Sequence, residues 1–155
     1  MGSIPIRWTI SGLGFVLTIG WATDAQAQLA VGSSWVRTDE SGKGIVMSVE
    51  ACCSGGLRLV YRVPPMSGQP AMTMSVDSPM DGTEAPTMMG GKASGQTMAI
   101  KRVDDHHYSA VLKMNGQLFA TYNATVSPDN KTMTVEGMTQ AAGTSQKMTE
   151  TWVRK

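Results

Sequence analysis

Cysteine, histidine, aromatic side chains and charge are all scarce in this chain, and each shortage closes off a class of chemistry. The two cysteines, Cys52 and Cys53, are adjacent, so the chain has neither a C-x-x-C redox pair nor a zinc-ligand framework. Neighbouring Cα atoms are only about 3.8 Å apart and successive strand side chains point to opposite faces, so a bridge between them needs a distorted turn. The only histidines, His106 and His107, are separated by the same alternation, whereas a metal centre needs three or four converging ligands. Thirteen Lys and Arg stand against twelve Asp and Glu, which leaves no basic surplus for nucleic acid. No G-x-S-x-G elbow occurs, and Gly90-Gly91 lacks the strand-to-helix setting of a phosphate loop. Neither catalysis nor a cofactor is expected.

Long apolar runs are also missing, except near the start. Residues 1–27 read as a cleavable export signal: Arg7 in the n-region, an apolar stretch over residues 10–22, and Ala25-Gln26-Ala27 as the small-x-small cleavage pattern. The stretch is shorter than the roughly 20 apolar residues that span a bilayer, and Gly12, Gly14 and Gly20 weaken it further. No membrane anchor is expected after cleavage, and no cysteine stands where a lipoprotein precursor would carry one. The protein is therefore expected in the periplasm or secreted, as a single domain over residues 28–155.

In that domain, charged residues are 16% of the chain against roughly 25% in average proteins, while Gly, Ser and Thr abound. Such composition favours strands and tight turns. Extended segments are predicted over residues 34–38, 45–52, 57–63, 71–76, 96–103, 107–114, 117–126, 132–138 and 146–154. Cys53-Ser54-Gly55-Gly56, Asp104-Asp105, Asn115-Gly116 and Ser127-Pro128-Asp129-Asn130-Lys131 supply turn chemistry between them. A turn is predicted at Asp81-Gly82 and a loop through Met88, Met89, Gly90 and Gly91. No amphipathic helix of three turns is found beyond the leader. Successive hairpins point to one all-β fold, an up-and-down antiparallel barrel of about nine to ten strands.

Alternation assigns the faces. Tyr108, Ala110, Leu112 and Met114 share one side of a strand, as do Leu118, Ala120, Tyr122, Ala124 and Val126 on the next, leaving Phe119 to face outward. Closing a meander brings first and last strands together, so Trp35 and Trp152 are expected on neighbouring strands, with Arg154 or Arg37 near an indole face.

The string SPDNKTMTV at residues 127–135 resembles the SPDGKTMTV pattern of small exported bacterial proteins, largely uncharacterised, with lipocalin-like barrels. Asn130 replaces the pattern's glycine, and asparagine also accepts left-handed geometry. Ile100-Lys101-Arg102-Val103-Asp104 and Asn115-Gly116-Gln117 add to the likeness, and Gly32-Ser33-Ser34-Trp35 is similar to the Gly-x-Trp of lipocalin first strands with one extra residue. The resemblance implies a barrel whose interior takes an apolar small molecule. It carries over no catalytic residue.

Met47, Leu59, Tyr61, Met98, Tyr108, Leu112 and Tyr122 are the candidate lining of such an interior. Methionine is the compositional outlier, with 13 residues. Soft thioethers suit Cu(I), which makes Met72, Met74, Met88 and Met89, with Cys52 or His107, a second candidate site for metal handling. Flexible thioethers also fill irregular interiors, and Met47, Met98, Met114, Met133 and Met148 alternate with polar neighbours as core residues do. A third expectation is an envelope interaction or inhibitor protein, using Phe119 and nearby exposed apolar residues as a patch. The sequence does not specify an oligomeric state.

Overall fold

The computed structural model describes residues 28–141 and 143–155, so the leader read over residues 1–27 lies outside the described residues. Ten antiparallel strands form one closed barrel in which each strand pairs with its neighbours in sequence and the last returns to the first. They are β1 (Ser34–Arg37), β2 (Val46–Cys52), β3 (Gly56–Val63), β4 (Met72–Ser78), β5 (Asp81–Met89), β6 (Lys92–Arg102), β7 (His107–Met114), β8 (Gln117–Val126), β9 (Thr132–Ala141) and β10 (Thr144–Arg154). No helix occurs among the described residues.

Closure rests on β1, which pairs with β2 on one side and β10 on the other. Trp35 stands opposite Arg154, and Arg37 opposite Trp152. Residues paired across a ladder face the same way, so period-two alternation sends one set of side chains inward around the whole ring. Trp35, Met47, Val49, Leu59, Val76, Met98, Ile100, Leu112, Ala120, Val126, Met133 and Trp152 form the buried core. The outer face is polar, with ladder-spanning contacts such as Arg58 to Asp77 and Lys113 to Glu84. These exposed pairs contribute little to stability.

The turns follow local chemistry. Asn115 and Gly116 both take positive φ, 50° and 78°, the geometry a two-residue hairpin between right-twisted strands requires. Asn130 adopts φ 60° in the turn before β9, as its left-handed tolerance allows. Cys52 and Cys53 are joined by a disulfide in the β2–β3 turn.

Three local expectations are corrected. Asp81-Gly82 is not the turn: Met80 takes φ 65° after Pro79, its N–H bonded to Ser78 Oγ, and Asp81 already pairs with Lys101. The Asp-Gly chemistry serves a register shift between Asp81 and Glu84 instead. Met88 and Met89 are not loop but the end of β5, and Gly90-Gly91 alone make the turn. A second shift between Pro86 and Met88 accommodates a proline, which cannot donate to the ladder, and Ser94 Oγ and the Gln96 carbonyl engage Thr87 there. Finally, a shift in β7–β8 pairs Leu118 with outward-facing Lys113, which leaves Leu118 42% exposed. Phe119, expected outside, packs against the core.

Candidate functional site

The interior is hollow. A cavity of about 240 Å³ runs inside the ring, lined mainly by apolar and aromatic side chains. Met47, Leu59, Tyr61, Met98, Tyr108, Leu112 and Tyr122 all line it, each placed there by strand alternation. One end, where β2 meets β3 and β7 begins, is covered by the segment before β1. Leu29 is buried there against the cavity, and its N–H donates to Tyr108 Oη at 3.1 Å. At the opposite end the inward positions of the strand termini, Met72, Met89 and Met114, are 39, 36 and 37% exposed.

Two charged side chains also line this cavity, Arg37 on β1 and Glu150 on β10. The loop after β1 folds back over Arg37. Asp39 accepts from Nε at 2.7 Å and from Nη2 at 2.9 Å, and Ser41 Oγ accepts from Nη2 at 2.8 Å. Gly42 makes this possible, since a Cβ at that position would fall 2.2 Å from Arg37 Nε. The Thr151 N–H adds a donor to Asp39 at 3.1 Å. The guanidinium hydrogen bonds hold the Asp39 carboxyl well below its ordinary range.

Glu150 is held more loosely. Oε1 lies 3.0 Å from Arg37 Nη1, and Oε2 accepts from the Trp152 indole N–H at 3.0 Å. Burial raises the Glu150 carboxyl above its usual value, and Asp39 pushes the same way, against the opposing pull of Arg37 and the indole. Around it stand aromatic faces. Tyr61 meets Trp152 edge to face with centroids 6.2 Å apart, and burial raises the phenols of Tyr61 and Tyr122. Tyr122 lies across Gly137, where a Cβ would come within 2.8 Å of its Cδ1.

The seven lining residues were legible by alternation; the Arg37–Glu150 pair was missed. Its signal was present: Glu150 sits two residues before inward Trp152, and Arg37 two after inward Trp35. The sequence offers Arg37 only as a partner for an indole face, whereas its guanidinium is held by two carboxylates. Arg154 lies across from Trp35 at the other end of the ladder.

The candidate metal residues are only partly brought together. Met74 pairs directly with Met89, and Met72 follows two residues along the same inner face. Met88 pairs with Ser75 on the outer face and cannot join them. Cys52, in its disulfide, and His107 lie at the opposite end of the barrel, and His107 Nδ1 is bonded to Asp104. Among the described residues no three His, Cys, Asp or Glu side chains gather as metal ligands. No protein-family model matches the chain, and neither a curated protein nor a solved structure matches it.

Proposed function

We propose that this barrel is a non-catalytic binding module, exported from the cytoplasm, that encloses a small and largely apolar molecule. The observation that carries this reading is the cavity of about 240 Å³ inside a closed sheet. It is larger than the roughly 150 Å³ apolar cavity known to hold benzene. Removing apolar ligand surface from water supplies the driving force, and few polar groups are needed to fix orientation. The likeness of residues 127–135 to small exported barrel proteins, together with the leader read over residues 1–27, supports action outside the cytoplasm.

Titration of the purified protein with N-phenyl-1-naphthylamine, a neutral dye that brightens when desolvated, tests the reading. One dye per chain is expected, with binding weakened at least tenfold by Ala124→Phe, which fills the cavity from β8. Non-saturable brightening, or an Ala124→Phe protein that folds and binds equally well, contradicts it.

A second reading, handling of a soft metal, is favoured only by Met74 facing Met89 beside Met72. Titration with Cu(I) and mass spectrometry tests it: an equimolar complex lost in Met74→Leu supports it, and no retained copper ends it.

A further inference from the structure

Within the binding module proposed above, the cavity wall is not electrically neutral. Arg37 is the one cation lining it among the described residues, and its fork is already engaged by Asp39 and Ser41 in the loop behind. That pairing satisfies the guanidinium with a full carboxylate. Glu150 then adds a second carboxylate against the same cation, through one contact at 3.0 Å. The trio of Arg37, Asp39 and Glu150 carries one more negative than positive charge, and the excess lies on Glu150, which faces the cavity.

The side chains beside Glu150 suit one kind of guest. Tyr61 on β3, Tyr122 on β8 and Trp152 on β10 line the same cavity, and Tyr61 and Trp152 meet edge to face. Aromatic faces attract cations through the ring quadrupole, more strongly where water is excluded. An anionic guest would meet two carboxylates and a guanidinium whose bonds are largely taken. A neutral guest would leave the Glu150 charge uncompensated.

We propose that the ligand is an apolar organic cation, an amine or quaternary ammonium on a hydrophobic body, with its positive group held between the Glu150 carboxylate and the aromatic faces of Tyr61, Tyr122 and Trp152. Burial raises the Glu150 carboxyl above its usual value, so at low pH a proton competes with the cation for the same two oxygens. The groups that face Glu150 are Arg37 on β1, Asp39 in the following loop, Tyr61 on β3, Tyr122 on β8 and Trp152 on its own strand. Affinity for a permanent cation therefore rises with pH as Glu150 ionises.

Three probes of one shape separate the alternatives: benzyltrimethylammonium, the neutral isostere neopentylbenzene, and the anion benzylsulfonate, each competed against N-phenyl-1-naphthylamine. At pH 8 the cation is expected to bind at least tenfold tighter than the neutral isostere, with the anion weakest and the cation's advantage shrinking toward pH 5. Glu150→Gln is expected to abolish the preference for the cation over neopentylbenzene. Tyr61→Leu, which keeps the charge and removes an aromatic face, is expected to reduce it. Equal or tighter binding of the neutral probe by the native protein, or a preference for the cation that survives in Glu150→Gln, overturns the proposal. If neopentylbenzene binds without any cation preference, only the charge inference fails; if none of the three binds, the binding-module reading fails with it.

Discussion

Trp152 stands directly across the closing ladder from Arg37, and its indole N–H donates to the carboxylate that Arg37 contacts from the other strand. The seam of the barrel and the polar corner of its cavity are thus built from the same residues. Removing the guanidinium leaves Asp39 and Glu150 facing each other with no cation between them. Arg37→Met is expected to cost about 2–3 kcal/mol in urea unfolding, below the roughly 3–5 kcal/mol of a fully buried pair because the groups keep some water contact. Glu150→Gln is expected to cost far less, since Asp39 retains Arg37. Equal losses in the two variants would contradict this division of roles.

Gly137 gives Tyr122 its place. A methyl group there would lie 2.8 Å from the Tyr122 ring and 2.9 Å from Met148 Cγ, so the ring must tilt or the strands part. Gly137→Ala is expected to destabilise by about 1–3 kcal/mol through overpacking, and to change the near-ultraviolet circular dichroism of the tyrosines. A variant as stable as the parent with an unaltered spectrum would show that the ring has room.

The two carboxyls of the corner respond to pH with opposite signs. Asp39 is depressed in the folded protein, so its contribution is complete above the ordinary aspartate range and is lost as pH falls through that range and below. Glu150 is raised, so the folded state holds its proton more tightly than the unfolded chain, and stability falls as pH climbs from the ordinary glutamate range through the raised value. Comparing urea midpoints of the parent and Glu150→Gln from pH 4 to pH 8 isolates the second effect. The parent is expected to lose ground relative to the variant as pH rises; parallel curves would remove the raised carboxyl from the account.

Methionine oxidation reports which thioethers meet water. Met72, Met89 and Met114 at the uncovered end are expected to form sulfoxides in dilute peroxide well before Met47 and Met133, which are buried. Peptide mass spectrometry over a time course reads the order, and uniform oxidation would mean that the core opens on the same timescale.

Much of the barrel was readable because period-two alternation carries both strand and face at once. Trp35 near the start and Trp152 near the end were enough to anticipate closure, and Asn115-Gly116 announced its hairpin without ambiguity. The failures cluster where the ladder slips. At Asp81–Glu84 of β5 and at Leu118–Phe119 of β8, one extra residue inverts the faces that simple alternation assigns. Phe119 departs from its expected face for this reason, whereas Met88 and Met89 read as loop because the Gly90-Gly91 turn follows them directly. Glu150 was overlooked for another: a lone glutamate in a strand reads as solvent-facing until a cation from a distant strand is known to meet it.

Xenon under pressure shows whether the barrel is hollow, because the gas settles in apolar cavities. Crystals of the protein exposed to several atmospheres of the gas are expected to show a xenon peak inside the barrel, among Met47, Leu59, Met98 and Leu112, displaced when Ala124 is replaced by phenylalanine. No xenon within the ring would mean an interior filled by side chains, with no room for a ligand.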